Sequence, residues 1–417
     1  MLRKPECDPV SSFFHIGNPL KRFDDGEAKM RLILLLLLFF PCRSPNIRAQ
    51  SAQSASPEAA RYFADALAAE ARADWPTAQR NYLRAIQSAP NWAVAMVNLG
   101  VVYNRQGKAD EAIRAFTHAV QIRPNLVEAH LNLAVTYFKA GRYEEATGSL
   151  RSVVAIEPAN VQAQELMALS LIALERFQEA VEQLETLYAK NQRDPPILQA
   201  LGQSYLRLKI YDKAVKRLEE LVTLAPDSAQ AHLLLGEGLD NSSEPERALQ
   251  EFRRAIELDP NLPEAHYALG YALRRKGELD EAASNFEREL EINSGMMLAM
   301  YHLGKIDLDR GRTDRAAVLL GKVVETAPDF RPGLEAFGQA LLKKGELAHA
   351  VRILERAIKL DPTWPDAHFL LGRAYMMVGK RADAQREFAA AKRLSEDERK
   401  RLEEKVSGPK SKRPIHP

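Results

Sequence analysis

The sequence predicts an all-α solenoid, a stack of ten antiparallel helix pairs, and three observations carry that expectation. Alanine recurs every 34 residues at ten consecutive places, from Ala78 and Ala112 to Ala350 and Ala384. A small residue stands twelve positions before each of them, from Ala66 and Gly100 to Gly338 and Gly372. Proline stands twelve positions after seven of them, at Pro90, Pro124, Pro158, Pro226, Pro260, Pro328 and Pro362. Self-similarity at one fixed period marks a repeat array and outranks local propensity.

The first 58 residues lie outside the array. Leu32–Phe40 is an uninterrupted apolar run of nine residues. As a helix it reaches about 14 Å, against roughly 30 Å for a bilayer core. It follows Met30 and Arg31 and leads into the small residues Ser51, Ala52, Ser54 and Ala55. Charge, apolar run and small-residue region make the layout of an export signal. Residues 1–29 then read as an upstream extension, with translation starting at Met30, and 30–58 as signal and short linker. The competing reading is an uncleaved anchor through residues 30–42, the one route by which this chain would meet a membrane. A lipoprotein reading at Cys42 is weaker, because Phe39, Phe40 and Pro41 precede it where small residues are needed. Cys7 and Cys42 are the two cysteines, and both precede the cleavage region. The array needs no disulfide, because stacking supplies its core.

The ten units run from Ala59 to Glu398. With the small residue numbered 8, alanine falls at 20 and proline at 32. In the second unit Leu99, Gly100 and Tyr103, then Ala112, Phe116 and Ala119, recur at the three- and four-residue spacing of a helix face. Glycine at position 15 (Gly107, Gly141, Gly277, Gly311, Gly345, Gly379) ends the first helix in the left-handed conformation. Positions 8 and 20 are small where the two helices cross. Proline at 32 stops the second helix, and Asn91, Asn125, Asp227 and Asn261 stand ready to cap the next one.

This pattern resembles the tetratricopeptide repeat. The residues that carry the resemblance are His130, Leu133, Ala134 and Tyr137 in a first helix, and Ala112, Phe116, Ala119 and Pro124 in a second and its turn. The resemblance covers most of the chain. It implies a right-handed superhelix of helix pairs that holds partner peptides or domains in a concave groove lined by the first helices. First-helix positions 2, 5, 6, 9, 12 and 13 should face that groove.

Some relatives grip terminal carboxylates with lysine at position 5. That position holds no lysine here, so such a clamp is absent. An asparagine ladder at position 6 has two rungs, Asn98 and Asn132. Position 9 reads Leu67, Val101, Val135, Leu169, then Gln203, Glu237, Tyr271, Lys305, Gln339, Arg373. The groove thus turns from apolar to polar near Pro195 and Pro196. Val97, Leu131, Phe138 and Ile172 extend the apolar side. An exposed apolar stripe marks a contact surface, and the alternative is that these residues pack on one another. Tyr267, Tyr271 and Tyr301 form a second candidate surface.

No catalytic constellation emerges, and no cofactor or metal is expected. His130, His232, His266 and His368 all fall at position 4 of successive or separated units. Equivalent helices stand about 10 Å apart, too far to share a zinc that needs every ligand at about 2 Å. They read as packing residues. No strand–glycine-loop–helix arrangement suits a phosphate. The net charge is +2 with both signs interspersed, which gives no basic stripe for nucleic acid.

Two units depart from the pattern. Gln192 and Ser294 replace proline. Near the second, Glu289 stands where alanine is usual and Asp307 where tyrosine is usual. Buried acids demand partners, and Arg288, Lys305 and Arg310 are close in sequence; a cation site is the alternative. At the other end Ser395, Glu396, Asp397 and Glu398 read as a capping box. The box opens a helix over 395–406 whose Leu402 and Val406 lie back on the last unit. Residues 407–417 read as a loose basic tail.

These readings converge on a non-enzymatic, exported scaffold of the cell envelope that binds peptide or protein segments. The alternatives are a regulatory or substrate-selecting subunit of an enzyme assembly whose catalytic part is another chain, and a structural spacer.

Overall fold

The computed structural model describes residues 56–407. The upstream extension, nearly all of the export segment and the tail beyond Ser407 lie outside the described residues. Among those described there are twenty helices and no strand. The first pairs are α1 (Pro57–Ala71) with α2 (Trp75–Ser88), α3 (Ala93–Arg105) with α4 (Ala109–Ile122), and α5 (Val127–Lys139) with α6 (Tyr143–Ile156). Then come α7 (Val161–Ala173) with α8 (Phe177–Lys190), α9 (Pro195–Arg207) with α10 (Tyr211–Leu224), and α11 (Ala229–Asn241) with α12 (Pro245–Leu258). The last four pairs are α13 (Ala265–Lys276) with α14 (Leu279–Ile292), α15 (Met297–Asp309) with α16 (Thr313–Thr326), α17 (Arg331–Lys344) with α18 (Leu347–Leu360), and α19 (Pro365–Met377) with α20 (Arg381–Ser407). The helices divide into two compact bodies, one ending at Glu251 and the other beginning at Phe252.

Every turn inside a pair is built the same way. All six position-15 glycines have φ between +72° and +90°. Ala73, Glu175, Lys209 and Ser243 hold position 15 in the other four pairs and are also left-handed, with φ of 55°, 60°, 60° and 64°. In all ten pairs the N–H of position 16 donates to the carbonyl of position 11, as Lys108 to Tyr103 and Arg142 to Tyr137, both at 2.9 Å. This bond closes a helix end that would otherwise leave carbonyls unpaired.

The need for a small residue at position 8 is plain, but its cause differs from the expectation. A Cβ at Gly100 would stand 2.5 Å from the Phe116 ring, and one at Gly202 would stand 2.5 Å from Leu218. Gly338 faces Leu354 at 2.6 Å and Gly372 faces Phe388 at 2.7 Å. The opposing group is thus chiefly the large side chain at position 24, not the alanine at 20. Gly270 also meets the backbone at position 20, with the Ala282 carbonyl oxygen at 3.1 Å.

The caps also fall elsewhere. Asn91, Asn125, Asp227 and Asn261 sit in the turns. The capping side chains come one position later in the repeat: Asn160 accepts from Ala163 N, Asp194 from Ile197 N and Ser228 from Ala231 N. The pairs that follow Gln192 and Ser294 keep the common register. Irregularity appears instead at α13, which starts at Ala265, after Glu264 in the left-handed conformation. The last helix corrects the capping-box reading. It runs unbroken from Arg381 to Ser407, and the Ser395 hydroxyl donates to the Ala391 carbonyl within it. No separate helix begins at Ser395.

Candidate functional site

The residues expected to form the apolar stripe lie on successive first helices of the first body, α3, α5 and α7. Val101, Leu131, Val135, Leu169 and Ile172 are half-buried. Val97 and Phe138 are buried, and Phe138 stacks edge-on to Tyr143 at 5.3 Å. These two belong to the core side of the stripe and not to its open surface. Asn98 and Asn132 are half-buried, and Asn132 Nδ2 donates to the Glu128 carbonyl. Beside them Asn104 donates to Thr136 Oγ1 at 2.8 Å, tying α3 to α5. Beyond Pro195 the position-9 residues Gln203 and Glu237 are half-buried and polar.

In the second body the tyrosines are not an open surface. Tyr267, Tyr271 and Tyr301 are buried. They pack around His302 with ring centroids 6.1, 5.4 and 5.1 Å from it, and Phe286 stacks on the same imidazole at 5.5 Å. Burial, then Arg274 and Lys305, holds His302 well below the usual histidine range. This cluster is a core, filled because position 6 carries a large ring here, and the three tyrosines leave the list of partner-facing residues. The groups that do face outward nearby are Lys305, Gln339 and Glu335, all half-buried, and the exposed Arg373. Burial, and next Asp366, pushes the Glu335 carboxyl up to about 7, while Lys305 pulls it down. Glu165, also at position 5, is raised by burial and by Asp194. Sequence reading passed over both acids, although their place at position 5 was a usable signal.

The four histidines at position 4 are tied up. Nε2 of His130, His232, His266 and His368 lies 2.8, 3.0, 3.2 and 3.1 Å from the carbonyl oxygens of Pro124, Pro226, Pro260 and Pro362. Nδ1 of His232 and of His368 lies 2.6 Å from Glu251 and Glu387. Such rings are spent on packing turns. Among the described residues no group of three His, Cys, Asp or Glu could hold a metal.

The two anomalous acids have protein partners. Glu289 is buried, and its carboxylate accepts from the backbone N–H of Glu264 at 3.1 Å and of Tyr267 at 3.2 Å. It caps α13 in place of a residue at the helix start. Asp307 is fully buried and pairs with Arg312 Nε at 3.0 Å and Arg315 Nε at 3.2 Å. These contacts are ionic, at angles outside good hydrogen-bond geometry. The arginines named from sequence bond elsewhere: Arg288 to Glu291 and Asn261, Arg310 to Asp280. No helix among the described residues is long and apolar enough to cross a membrane.

Comparison with known proteins agrees with this architecture. Family models described as tetratricopeptide repeat match residues 63–127, 103–169, 171–237, 263–295 and 298–329. One described as TPR repeat matches 244–277 and 338–379. The curated proteins contain no match. Among solved structures, one titled "MamA MSR-1 C2" is 25% identical and covers 40% of this chain and 97% of its own, with a TM-score of 0.37. One titled "Structure of Naa15/Naa10 bound to HypK-THB" is 16% identical and covers 81% of this chain and 63% of its own, with a TM-score of 0.42.

Proposed function

We propose that this chain, which belongs to the tetratricopeptide repeat family, is a non-catalytic scaffold that binds protein segments along the first-helix face of residues 93–173. The observation that supports the place is the half-buried apolar run Val101, Leu131, Val135, Leu169 and Ile172. Each lies at a position that the helix pair does not need for its own crossing. An apolar stripe on consecutive helices suits the apolar side chains of an extended or helical segment. The polar amide of Asn98 flanks it and would orient the bound backbone, while Asn132 is held by the Glu128 carbonyl. The role includes export, through the segment Leu32–Phe40, so that the scaffold works outside the cytoplasm.

The test is a peptide-display selection on the full chain, repeated on a Leu131→Ser, Val135→Ser, Leu169→Ser variant. Serine keeps the face polar without burying a charge. The variant should melt cooperatively and lose the selected peptides. Unchanged binding by a folded variant would remove this face as the site. For export, N-terminal sequencing of extracytoplasmic protein should find a start between Ala49 and Ser56; an intact Met1 on the exported chain contradicts the signal.

A further inference from the structure

A carboxylate interrupts the apolar stripe. Glu165 occupies position 5 of α7, one helical turn before Leu169 and at the place that Leu131 holds on α5. All three residues are half-buried. Half-buried glutamates on α8 and α10 are matched by arginines: Glu179 by Arg176, and Glu185 and Glu220 by Arg217. Among the described residues no hydrogen bond or ion pair reaches the Glu165 carboxylate. Lys190 of α8 bonds instead to Oε1 of the adjacent Gln164, at 3.0 Å. The charge that acts on Glu165 is another acid, Asp194, whose carboxylate caps α9. Burial first, and then Asp194, hold the Glu165 carboxyl above the usual glutamate range. A carboxylate partly withdrawn from water and left without a cation costs stability.

The surrounding positions supply no cation. Positions 2, 5, 6 and 9 of the first six first helices, from Ala60 to Glu237, carry three charges: Glu128, Glu165 and Glu237. All are negative. The basic residues at groove positions of the same helices, Arg105, Lys139 and Arg207, stand at position 13, exposed at the helix ends.

We infer that the segment bound along this face presents a lysine or arginine to Glu165, with its apolar side chains against Leu131, Val135 and Leu169. The assignment rests on this face being the binding face. An apolar segment without a basic residue would desolvate Glu165 further and leave it unpaired, which selects against such partners. An acidic segment would meet only like charge at these positions. A basic side chain makes a charge-assisted hydrogen bond to the carboxylate, and the apolar neighbours shield it from water.

Random peptides displayed against the full chain, with the tightest binders titrated by fluorescence anisotropy, test the assignment. Wild type should select peptides with a lysine or arginine set among apolar residues. Glu165→Gln should bind them about tenfold more weakly. Exchanging the peptide's basic residue for glutamine should cost the same, with no further loss when both changes are combined. Glu165→Gln should melt no lower than wild type, since it removes an unpaired charge, which separates weaker binding from unfolding. Glu165→Lys should turn the selection toward aspartate and glutamate. Selected peptides without a basic residue, or equal affinity for Glu165→Gln, overturn the assignment and leave the face standing. A selection that yields no binder, or binding that survives Leu131→Ser, Val135→Ser, Leu169→Ser, removes the face and the assignment together. Arg31 followed by Leu32–Phe40 has the same chemistry within this chain. Peptide binding made about tenfold tighter by Arg31→Gln would make that segment the occupant and overturn a partner protein.

Discussion

His368 Nε2 lies 3.1 Å from the carbonyl oxygen of Pro362, six residues earlier. A proline carbonyl can only accept, so the ring donates. The bond joins position 4 of one repeat to position 32 of the one before it. It recurs at His130, His232 and His266, and Gln164 makes it with Nε2 to Pro158 at 3.0 Å. The bond latches each first helix to the turn that delivers it.

Removing the latch should destabilise by about 0.5–1.5 kcal/mol, the net worth of a hydrogen bond whose acceptor, on the exposed Pro226, can turn to water. His232→Ala should show that loss in urea denaturation. His232→Gln should recover most of it, because glutamine already does this job in the fourth repeat. Equal losses for both substitutions would mean that ring packing, and not the hydrogen bond, carries the effect.

The crossing of the helices yields a second prediction. Gly100→Ala places a Cβ against Phe116 and should cost roughly 1–3 kcal/mol by overpacking. Adding Phe116→Leu should restore part of it, because alanine at position 8 faces leucine at 24 in two other repeats, Ala134 with Leu150 and Ala168 with Leu184. Hydrogen exchange should rise most in α3, α4 and their immediate neighbours, since coupling in a repeat array is between adjacent units. A uniform rise through the first body would show that it opens as one block.

The repeat period, the helix pairs and the left-handed turn were legible because each rests on one residue type at one place. Proline, glycine and alanine act on the backbone locally, so spacing alone reveals them. The tyrosines were misread for the opposite reason. Whether position 5 or 9 faces outward depends on what fills position 6 next door, and His302 is large enough to draw Tyr267, Tyr271 and Tyr301 inward. The cap on α13 was equally hidden, because Glu289 lies 25 residues from the N–H of Glu264 that it holds. The apolar stripe was readable as composition, and its split into buried Val97 and Phe138 and half-open Leu131 and Val135 was not.

Four turns use a residue other than glycine where φ is positive. Lys209 holds φ of 60° with an exposed side chain. The left-handed conformation costs a non-glycine residue about 1–2 kcal/mol, and glycine offsets part of that gain through its larger unfolded-state entropy. Lys209→Gly should therefore stabilise by about 0.5–1 kcal/mol, and Glu175→Gly likewise. Gly141→Ala, at φ of 72°, should destabilise by a similar amount. Thermal melting of the three single variants checks the set, and a lower Tm for Lys209→Gly would contradict it.

The half-buried acid Glu335 makes stability depend on pH. Its carboxyl is raised from 4.5 to about 7, first by burial and then by Asp366. A carboxyl with a higher value in the folded chain binds its proton more tightly there, so ionising it opposes folding. The folded state should be unaffected by this group below pH 4.5. It should lose stability as pH rises from there to about 7, and stay at the lower level above. Glu289 and Asp307, both raised by burial first, act in the same direction. Glu335→Gln removes the ionisation while keeping the shape. The variant should match wild type near pH 4 and exceed it by about 1–3 kcal/mol at pH 8. Urea denaturation at the two pH values measures the difference, and the contrast cancels the titration of every other group. A variant no more stable than wild type at pH 8 would mean that Lys305 already neutralises the carboxylate. The opposite sign, a variant weaker at pH 8 than at pH 4, would make Glu335 a stabilising partner of that lysine.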